Sequence, residues 1–476
     1  MQQKMLIAGR WLDALDGGTW KVTNPATEEV IAEVPFGGRA DAVAAIEAAH
    51  AAQPGWAALT AYERGAILRR VADIISSRLE ELARLLTSEA GKPLSEARGE
   101  WQSSADLFDW FAEEGKRAYG RTIPARKAGK RLLSIPAPVG VVATITAWNF
   151  PAYLPARKWS AALAAGCTVV GRPSEITPLS AMALTEIIHE AGIPAGVMNL
   201  VNGDPGPMGE AFLESPYVDK LSFTGSQRVG RILMRGAADH FKRLSLELGG
   251  SAPVLIFPDV DVRVTAQQAV LAKFRNSGQV CVSPARYYVH SDIADEFVTE
   301  AAAATEELVV GNGLEEGVTT GPLSTADARE RVEGFVHDAV AQGAKLVVGG
   351  SRPGHLSRGY FFEPTVLTGV LPMMRVSCEE VFGPVMPVAT FSTMEEALQL
   401  ANDTPFGLAG YVMTRDLSWA TRVYEGLKFG IVGVNDFVPA TAEGPFGGVR
   451  ESGFGREGSQ EGLREYLETK FVSIGL

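Results

Sequence analysis

VGVVATITAWNFP, residues 139–151, opens the part of the chain that decides its fold. Val139–Ile145 is an apolar run rich in β-branched residues and without helical spacing, and it ends in the turn Trp148-Asn149-Phe150-Pro151. Further runs of this kind follow at Thr168–Val170, Val197–Val201, Lys220–Phe223 and Arg243–Leu246, each reached through a stretch with helical spacing. Parallel strands need such crossovers, so the alternation predicts a parallel sheet with helices on both faces. In sheets of that type ligands bind beyond the carboxyl ends of the strands.

The residues at those ends are chemically unusual. Lys220–Phe223 runs into Thr224-Gly225-Ser226, with Gly230 in the following helix. Gly225 and Ser226 at a strand-to-helix turn can offer backbone N–H groups, a hydroxyl and a helix N-terminus to a phosphate, although many plain turns share this composition. Arg172-Pro173-Ser174-Glu175 places a carboxylate where nucleotide folds hold a ribose; Glu175 could equally start the helix after Pro178. Glu247 ends the fifth run in Leu246-Glu247-Leu248-Gly249-Gly250, an acid among apolar residues that is costly to bury unless paired or functional.

Outward from this core, Thr60–Gly91 reads as one amphipathic helix, opened by a Thr60/Glu63 capping box and closed by Gly91 and Pro93. The basic stretch from Lys116 to Arg131 leaves the body of the domain as an excursion before the strand pattern begins. Past Glu247, the runs Val254–Phe257, Tyr287–Val289, Lys345–Val348 and Ile431–Val434 predict a second α/β unit. Within it, Lys273–Arg286 reads KFRNSGQVCVSPAR, which puts Cys281 just beyond a helix broken at Asn276-Ser277-Gly278. The thiol is either a nucleophile presented to a cleft or a buried structural cysteine. Tyr466–Leu476 resembles an edge strand open to pairing with another subunit.

Composition narrows the field. A chain of 476 residues with 46% hydrophobic residues is long enough for two or three domains. A net charge of −12 argues against nucleic acid or an anionic membrane as main partner. No apolar run approaches a membrane span and the N-terminus lacks the pattern of a secretory leader, so a cytoplasmic protein is expected. Cys167, Cys281 and Cys378 are far apart and the histidines form no ligand pair, so no metal site is expected.

The ordered motifs TAWNFP from Thr146, RPSEITPLSA from Arg172, FTGS from Phe223, LELGG from Leu246, GQVC from Gly278, EEVFGP from Glu379 and PFGG from Pro445 resemble the aldehyde dehydrogenase superfamily over nearly the whole chain. KFRNSGQVC and GREGSQEGLREYLETK look most like its succinate-semialdehyde dehydrogenase group. The resemblance implies an α/β fold with a Rossmann-like NAD(P)-binding domain, an α/β catalytic domain and a small β ribbon for oligomerisation. On this sequence those fall at 1–117 and 136–246 for the cofactor domain, 247–434 for the catalytic domain, and 118–135 with 456–476 for the ribbon. Residues 435–455 return to the cofactor domain and the active-site loops.

It further implies oxidation of an aldehyde to a carboxylic acid through a thiohemiacetal and a thioester on Cys281, with a homodimer or homotetramer as the assembly. An ordinary thiol has a pKa of about 8.5 and is mostly protonated at neutral pH, so Cys281 needs a proton acceptor. Glu247 is the candidate, acting first on the thiol and then on the hydrolytic water. Relatives that acylate coenzyme A lack that acid, which favours hydrolysis here. Asn149 and the Cys281 N–H would hold the oxyanion. By resemblance Glu457 is a proton-relay acid. Cofactor contacts are carried onto Thr146, Trp148, Lys158, Arg172, Ser174, Glu175, Gly225, Ser226, Leu248, Glu380 and Phe382, with Lys158 and Glu380 at a ribose.

Arg157 and Arg275 match two arginines that hold the substrate carboxylate in the semialdehyde group, a task suited to a planar, bidentate guanidinium. Without a substrate, Arg275 could instead cap its helix and Arg157 could pair with a surface acid. The group's assisting serine is replaced by Ala440 or Thr441 in the loop DFVPATAEG, and Ser283 stands where a second cysteine often occurs. Chain length is therefore open: succinate, glutarate or 2-oxoglutarate semialdehyde, or an uncharged aldehyde. Arg172, where the family usually has lysine, would tolerate a 2′-phosphate while Glu175 would repel one, which favours NAD with NADP possible. The reading outside enzymology is a binding protein on the same fold that has lost its chemistry.

Overall fold

The structure is a computed structural model that describes residues 2–476. Its larger sheet has eight strands, ordered Gly453–Phe454, Arg243–Leu248, Val218–Gly225, Val141–Ile145, Thr168–Arg172, Met198–Leu200, Met5–Ile7 and Arg10–Leu12. The strands from Arg243–Leu248 across to Met198–Leu200 are all parallel. In chain order the first of these lies at the centre, the next two to one side and the last two to the other. The order reverses between Val141–Ile145 and Val218–Gly225, and a crevice opens beyond the carboxyl ends at such a reversal.

The strands are fixed in place by packing on both faces. Val142 and Val169 join one core with Trp159, Leu163 and Leu184, while Val141, Val170, Leu221 and Phe223 join another with Ile46 and Phe212. This two-sided burial explains why the runs are continuously apolar.

A seven-stranded sheet runs Lys345–Val348, Thr365–Thr368, Val385–Phe391, Pro284–His290, Ala252–Ile256, Ala409–Met413 and Ile431–Val434. Only its first pair is antiparallel. A separate three-stranded sheet joins Leu467–Gly475, Lys130–Pro138 and Arg121–Ile123, so the basic excursion and the tail do meet. Exposed Ile135, Phe471 and Ile474 lie along it.

One helical expectation needs correction. Thr60 does cap with Glu63, and Gly91 closes the segment at φ 80°, but the helix is broken at Arg78 into Ala61–Ser77 and Leu79–Ala90. The hydroxyls of Ser76 and Ser77 donate to the Ala72 and Ile74 carbonyls, competing with the helical ladder just before the break. Arg78 then forks onto Glu81. Among the described residues no helix is long and apolar enough to cross a membrane.

Candidate active site

A cavity of about 240 Å³ sits at the sheet's reversal point, lined by Trp148, Asn149, Thr224, Gly225, Ser226, Glu247, Leu248, Cys281, Glu380 and Phe382 among others. The parallel sheet brings most of these together. Asn149 follows the central strand, Thr224 lies on the neighbouring strand, its cross-strand partner Glu247 on the next one out, and Gly249 follows at the next turn. The second sheet supplies Cys281. The helix Val262–Phe274 ends before it, and Asn276 and Ser277 take left-handed backbone at φ 47° and 54°. A closing turn from Ser283 N–H to the Val280 carbonyl then presents the thiol toward the first domain.

Glu247 is 4% exposed, and among the described residues neither of its carboxylate oxygens has a hydrogen-bond partner. Burial pushes its pKa up to about 7, with Glu457 adding repulsion while Lys158, Arg157 and the Cys281 thiol pull the other way. Burial also holds the Cys281 thiol well above its usual range, reinforced by the charges of Glu247 and Glu380. The resting pair is thus a protonated thiol beside an acid poised near neutrality. Such a pair can pass a proton only as the sulfur attacks.

Asn149 donates through Nδ2 to the Gln279 carbonyl at 3.1 Å, which orients its amide and leaves the second amide hydrogen for another acceptor. Among the described residues the Cys281 N–H is not engaged in a hydrogen bond. These two donors have the chemistry of an oxyanion hole.

Ser226 caps the helix Gln227–Ala238 by accepting from Val229 N–H, so its hydroxyl is partly committed and the free N–H groups of the first turn are what face outward. Gly230 is required for packing, since a Cβ there would lie 2.8 Å from Leu248 Cδ2. The Thr224 hydroxyl is buried without a partner among the described residues. Glu380 accepts from Gly250 N–H at 2.9 Å, and burial raises its pKa to about 7. Phe382 sits at φ 49° with its ring edge-on to Trp148, centroids 5.6 Å apart. A helix N-terminus, a buried hydroxyl, an aromatic wall and a carboxylate suit a dinucleotide, and the residues present fit that group.

Thr146, Lys158, Arg172, Ser174 and Glu175 do not line this cavity. Thr146 is tied by its N–H to the Arg172 carbonyl, and Ser174 accepts from Ile176 N–H. Arg172 donates to Glu175 and to the Gly203 carbonyl, both at 2.7 Å, at the end of the adjoining strand. Lys158 is fully buried, pairs with Glu457 and donates to Ser222. A buried ammonium needs its counter-ion, and Glu457 is that partner. Among the described residues Glu457 Oε2 has no partner.

Arg157 is 1% exposed, held between the rings of Tyr153 and Phe446 with its Cζ 4.7 and 4.2 Å from their centroids. Nη2 donates to Tyr153 Oη and the Thr441 carbonyl, while Nε and Nη1 have no partner among the described residues. Among the described residues it pairs with no surface acid. Arg275 lies 5.3 Å over the Phe150 ring and, among the described residues, its guanidinium caps no carbonyl. Ala440 and Thr441 line a second cavity of about 380 Å³ with Tyr153, Trp110, Asp106, Asp109 and Glu443.

Two residues at the site were not evident from sequence. Arg331 lines the main cavity and donates to the Glu380 carbonyl, and nothing about its helix sets it apart from other surface arginines. Lys273, buried behind the cysteine loop with its pKa pushed down to about 7 by burial, comes no nearer a polar partner than Ser283 Oγ at 3.5 Å. Its place in the last turn of a helix would ordinarily read as dipole compensation.

The aldehyde dehydrogenase family profile matches residues 11–472. The chain belongs to the aldehyde dehydrogenase family. It is 49% identical to a glutarate-semialdehyde dehydrogenase of Pseudomonas putida, over 100% of this chain and 98% of the relative. It is 48% identical to an NADP(+) succinate-semialdehyde dehydrogenase of Escherichia coli, again over 100% and 98%. A crystal structure of an E. coli NADP-dependent enzyme superposes with a TM-score of 0.98 at 47% identity, covering 100% of this chain and 98% of the other. This aldehyde dehydrogenase therefore has the α/β fold, the NAD(P) dependence and the aldehyde-oxidising activity of its family.

Proposed function

We propose that this aldehyde dehydrogenase oxidises a semialdehyde, an aldehyde bearing a distal carboxylate such as succinate semialdehyde, to the diacid by hydrolysis of a Cys281 thioester. The observation that carries the proposal is Arg157: a buried guanidinium with two unpartnered nitrogens is costly unless an anion completes it. A carboxylate accepts two parallel N–H bonds from such a fork. The 3.4 Å bond to the Thr441 carbonyl and the aromatic clamp fix its orientation.

Cys281 attacks the carbonyl carbon as Glu247 takes the thiol proton. The developing oxyanion is held by Asn149 Nδ2 and the Cys281 N–H. NAD(P), when bound, supplies the hydride acceptor for the oxidation. Glu247 first gives up the thiol proton, then removes a proton from water as that water attacks the thioester; the C–S bond breaks, the Cys281 sulfur takes the proton back from Glu247, and the acid is released. Glu457, whose charge helps set the Glu247 pKa and which pairs with Lys158, accepts the proton that Glu247 gives up between the two steps. Thr224, Gly225, Ser226, Trp148, Leu248, Glu380 and Phe382 form the dinucleotide wall.

NAD is the favoured cofactor. Arg172 is engaged by Glu175 and the Gly203 carbonyl, so the carboxylate that would bind a 2′-hydroxyl also restrains the cation that would bind a 2′-phosphate. The three-stranded sheet with exposed Ile135 and Phe471 supports self-association through 118–135 and 456–476, in a cytoplasmic homo-oligomer. A panel of aldehydes with and without terminal carboxylates, assayed for NADH formation, tests the substrate class. Acid-terminated aldehydes should give the higher kcat/KM, and equal rates with uncharged aldehydes of the same length would refute the role of Arg157.

A further inference from the structure

We propose that Lys92 is a positioning residue of the reaction, holding the oxyanion-binding turn through the Asn149 main chain. Lys92 follows the left-handed Gly91 at the junction of two helices, and its side chain is fully buried. Its ammonium donates to Glu100 Oε2 at 2.6 Å and to the Asn149 carbonyl at 2.8 Å, with the Phe150 ring centroid 3.9 Å away. The other oxygen of Glu100 accepts from the N–H groups of Ala152 and Tyr153, at 2.9 and 3.2 Å. One ion pair thus grips the backbone at residues 149, 152 and 153.

The same carbonyl has a second clamp. Asn276 Nδ2 donates to it at 3.0 Å and also to the Gln279 carbonyl at 3.1 Å, the acceptor that orients the Asn149 amide. The bonds close into a ring that joins the Asn149 turn to the cysteine loop. Glu96 accepts from Asn276 N–H at 2.8 Å and so secures the left-handed residue from below. Lys92 and Glu100 touch neither thiol nor cavity; their effect reaches the chemistry through the placement of one amide relative to Cys281. A buried ion pair is a poor source of stability, whereas a fully bonded one can specify geometry.

The inference rests on Asn149 being the oxyanion donor, so the experiment is a cycle that includes Asn149→Ala. The double variant Lys92→Met/Glu100→Gln removes the charge pair without leaving Glu100 as an unpaired buried carboxylate. Two activities are read: aldehyde oxidation, and hydrolysis of p-nitrophenyl acetate without cofactor, which uses the nucleophile, its base and the oxyanion hole but no hydride transfer. Both are expected to fall together, by up to about 10²-fold, because sub-ångström misplacement of a catalytic group can cost that much. Lys92→Arg should recover most of the loss. The aldehyde KM and the NAD dissociation constant should stay within about twofold.

In the Asn149→Ala background the same double variant should cost less than about twofold further, since the amide it positions is already gone. Full multiplication of the two effects would overturn the inference, as would wild-type activity in a folded Lys92→Met/Glu100→Gln protein. Unimpaired Asn149→Ala would instead sink the oxyanion assignment itself. Should the double variant not fold, Asn276→Gly, which keeps the left-handed backbone and removes the second clamp, is read in the same cycle; independence from Asn149 there overturns the inference.

Discussion

Replacing Glu247 with glutamine removes the base while keeping the side-chain volume, and its consequences can be worked from the burial of the group. With a pKa near 7, about half of the wild-type enzyme carries the Glu247 carboxylate at neutral pH and about a tenth of it one unit lower. The carboxylate is the competent form, so kcat/KM should rise roughly tenfold per pH unit up to about pH 7 and then level. Glu247→Gln should abolish this limb and lower kcat by about 10²–10⁴, the range for loss of a positioned general base.

Glu457 stands second among the causes that raise the Glu247 pKa, behind burial. Glu457→Gln removes a negative neighbour and frees Lys158 to favour the carboxylate, so the limb should move to lower pH. The assay is NADH production at saturating cofactor across about pH 5.5 to 9, with thiol alkylation confirming that Cys281 is intact. A Glu247→Gln enzyme that keeps the limb near pH 7, or more than about a tenth of wild-type kcat, would refute the assignment of the base.

Arg157→Met should lower kcat/KM for acid-terminated aldehydes by about 10²-fold or more, as loss of a buried charge pair typically costs 2–5 kcal/mol, and leave uncharged aldehydes little affected. A uniform loss across the panel would assign Arg157 a structural role. Glu175→Gln should raise kcat/KM with NADP by about tenfold, because it removes a repelling charge and releases Arg172; an unchanged NAD/NADP ratio would exclude this pair as the discriminator. Asp106, Asp109 and Glu443 rim the cavity beside Tyr153 and Thr441, so the rate with an anionic aldehyde should increase with added salt as their field is screened. A decrease measured at constant pH would place the approach of substrate elsewhere.

The fold was legible wherever local pattern and tertiary burial agree. Val139–Ile145 and its successors are apolar on both faces because helices cover both, and the strands lie at the positions their composition indicates. Thr60–Gly91 misled because the break at Arg78 leaves the apolar spacing intact. At the site, Glu247 and Cys281 stood out as polar groups near glycines at a strand or helix end, and Asn149 as an amide in the turn that ends the first strand. Lys92 did not, since a lysine between Gly91 and Pro93 reads as a solvated junction; only its burial against Glu100 and the Asn149 carbonyl distinguishes it. Lys158 was assigned to the cofactor by resemblance alone, and its pairing with Glu457, remote in sequence, is visible only in the folded chain.

The account stands or falls on the covalent adduct at Cys281. Enzyme mixed with succinate semialdehyde and NAD, quenched in acid within a single turnover and digested, is analysed by mass spectrometry for the peptide containing Cys281. A succinyl mass on that cysteine is expected, enriched in Glu247→Gln where hydrolysis is slowed and absent in Cys281→Ser, which should also form no NADH. NADH formation by Cys281→Ser, or an acyl group on Cys167 or Cys378 in its place, would contradict the account.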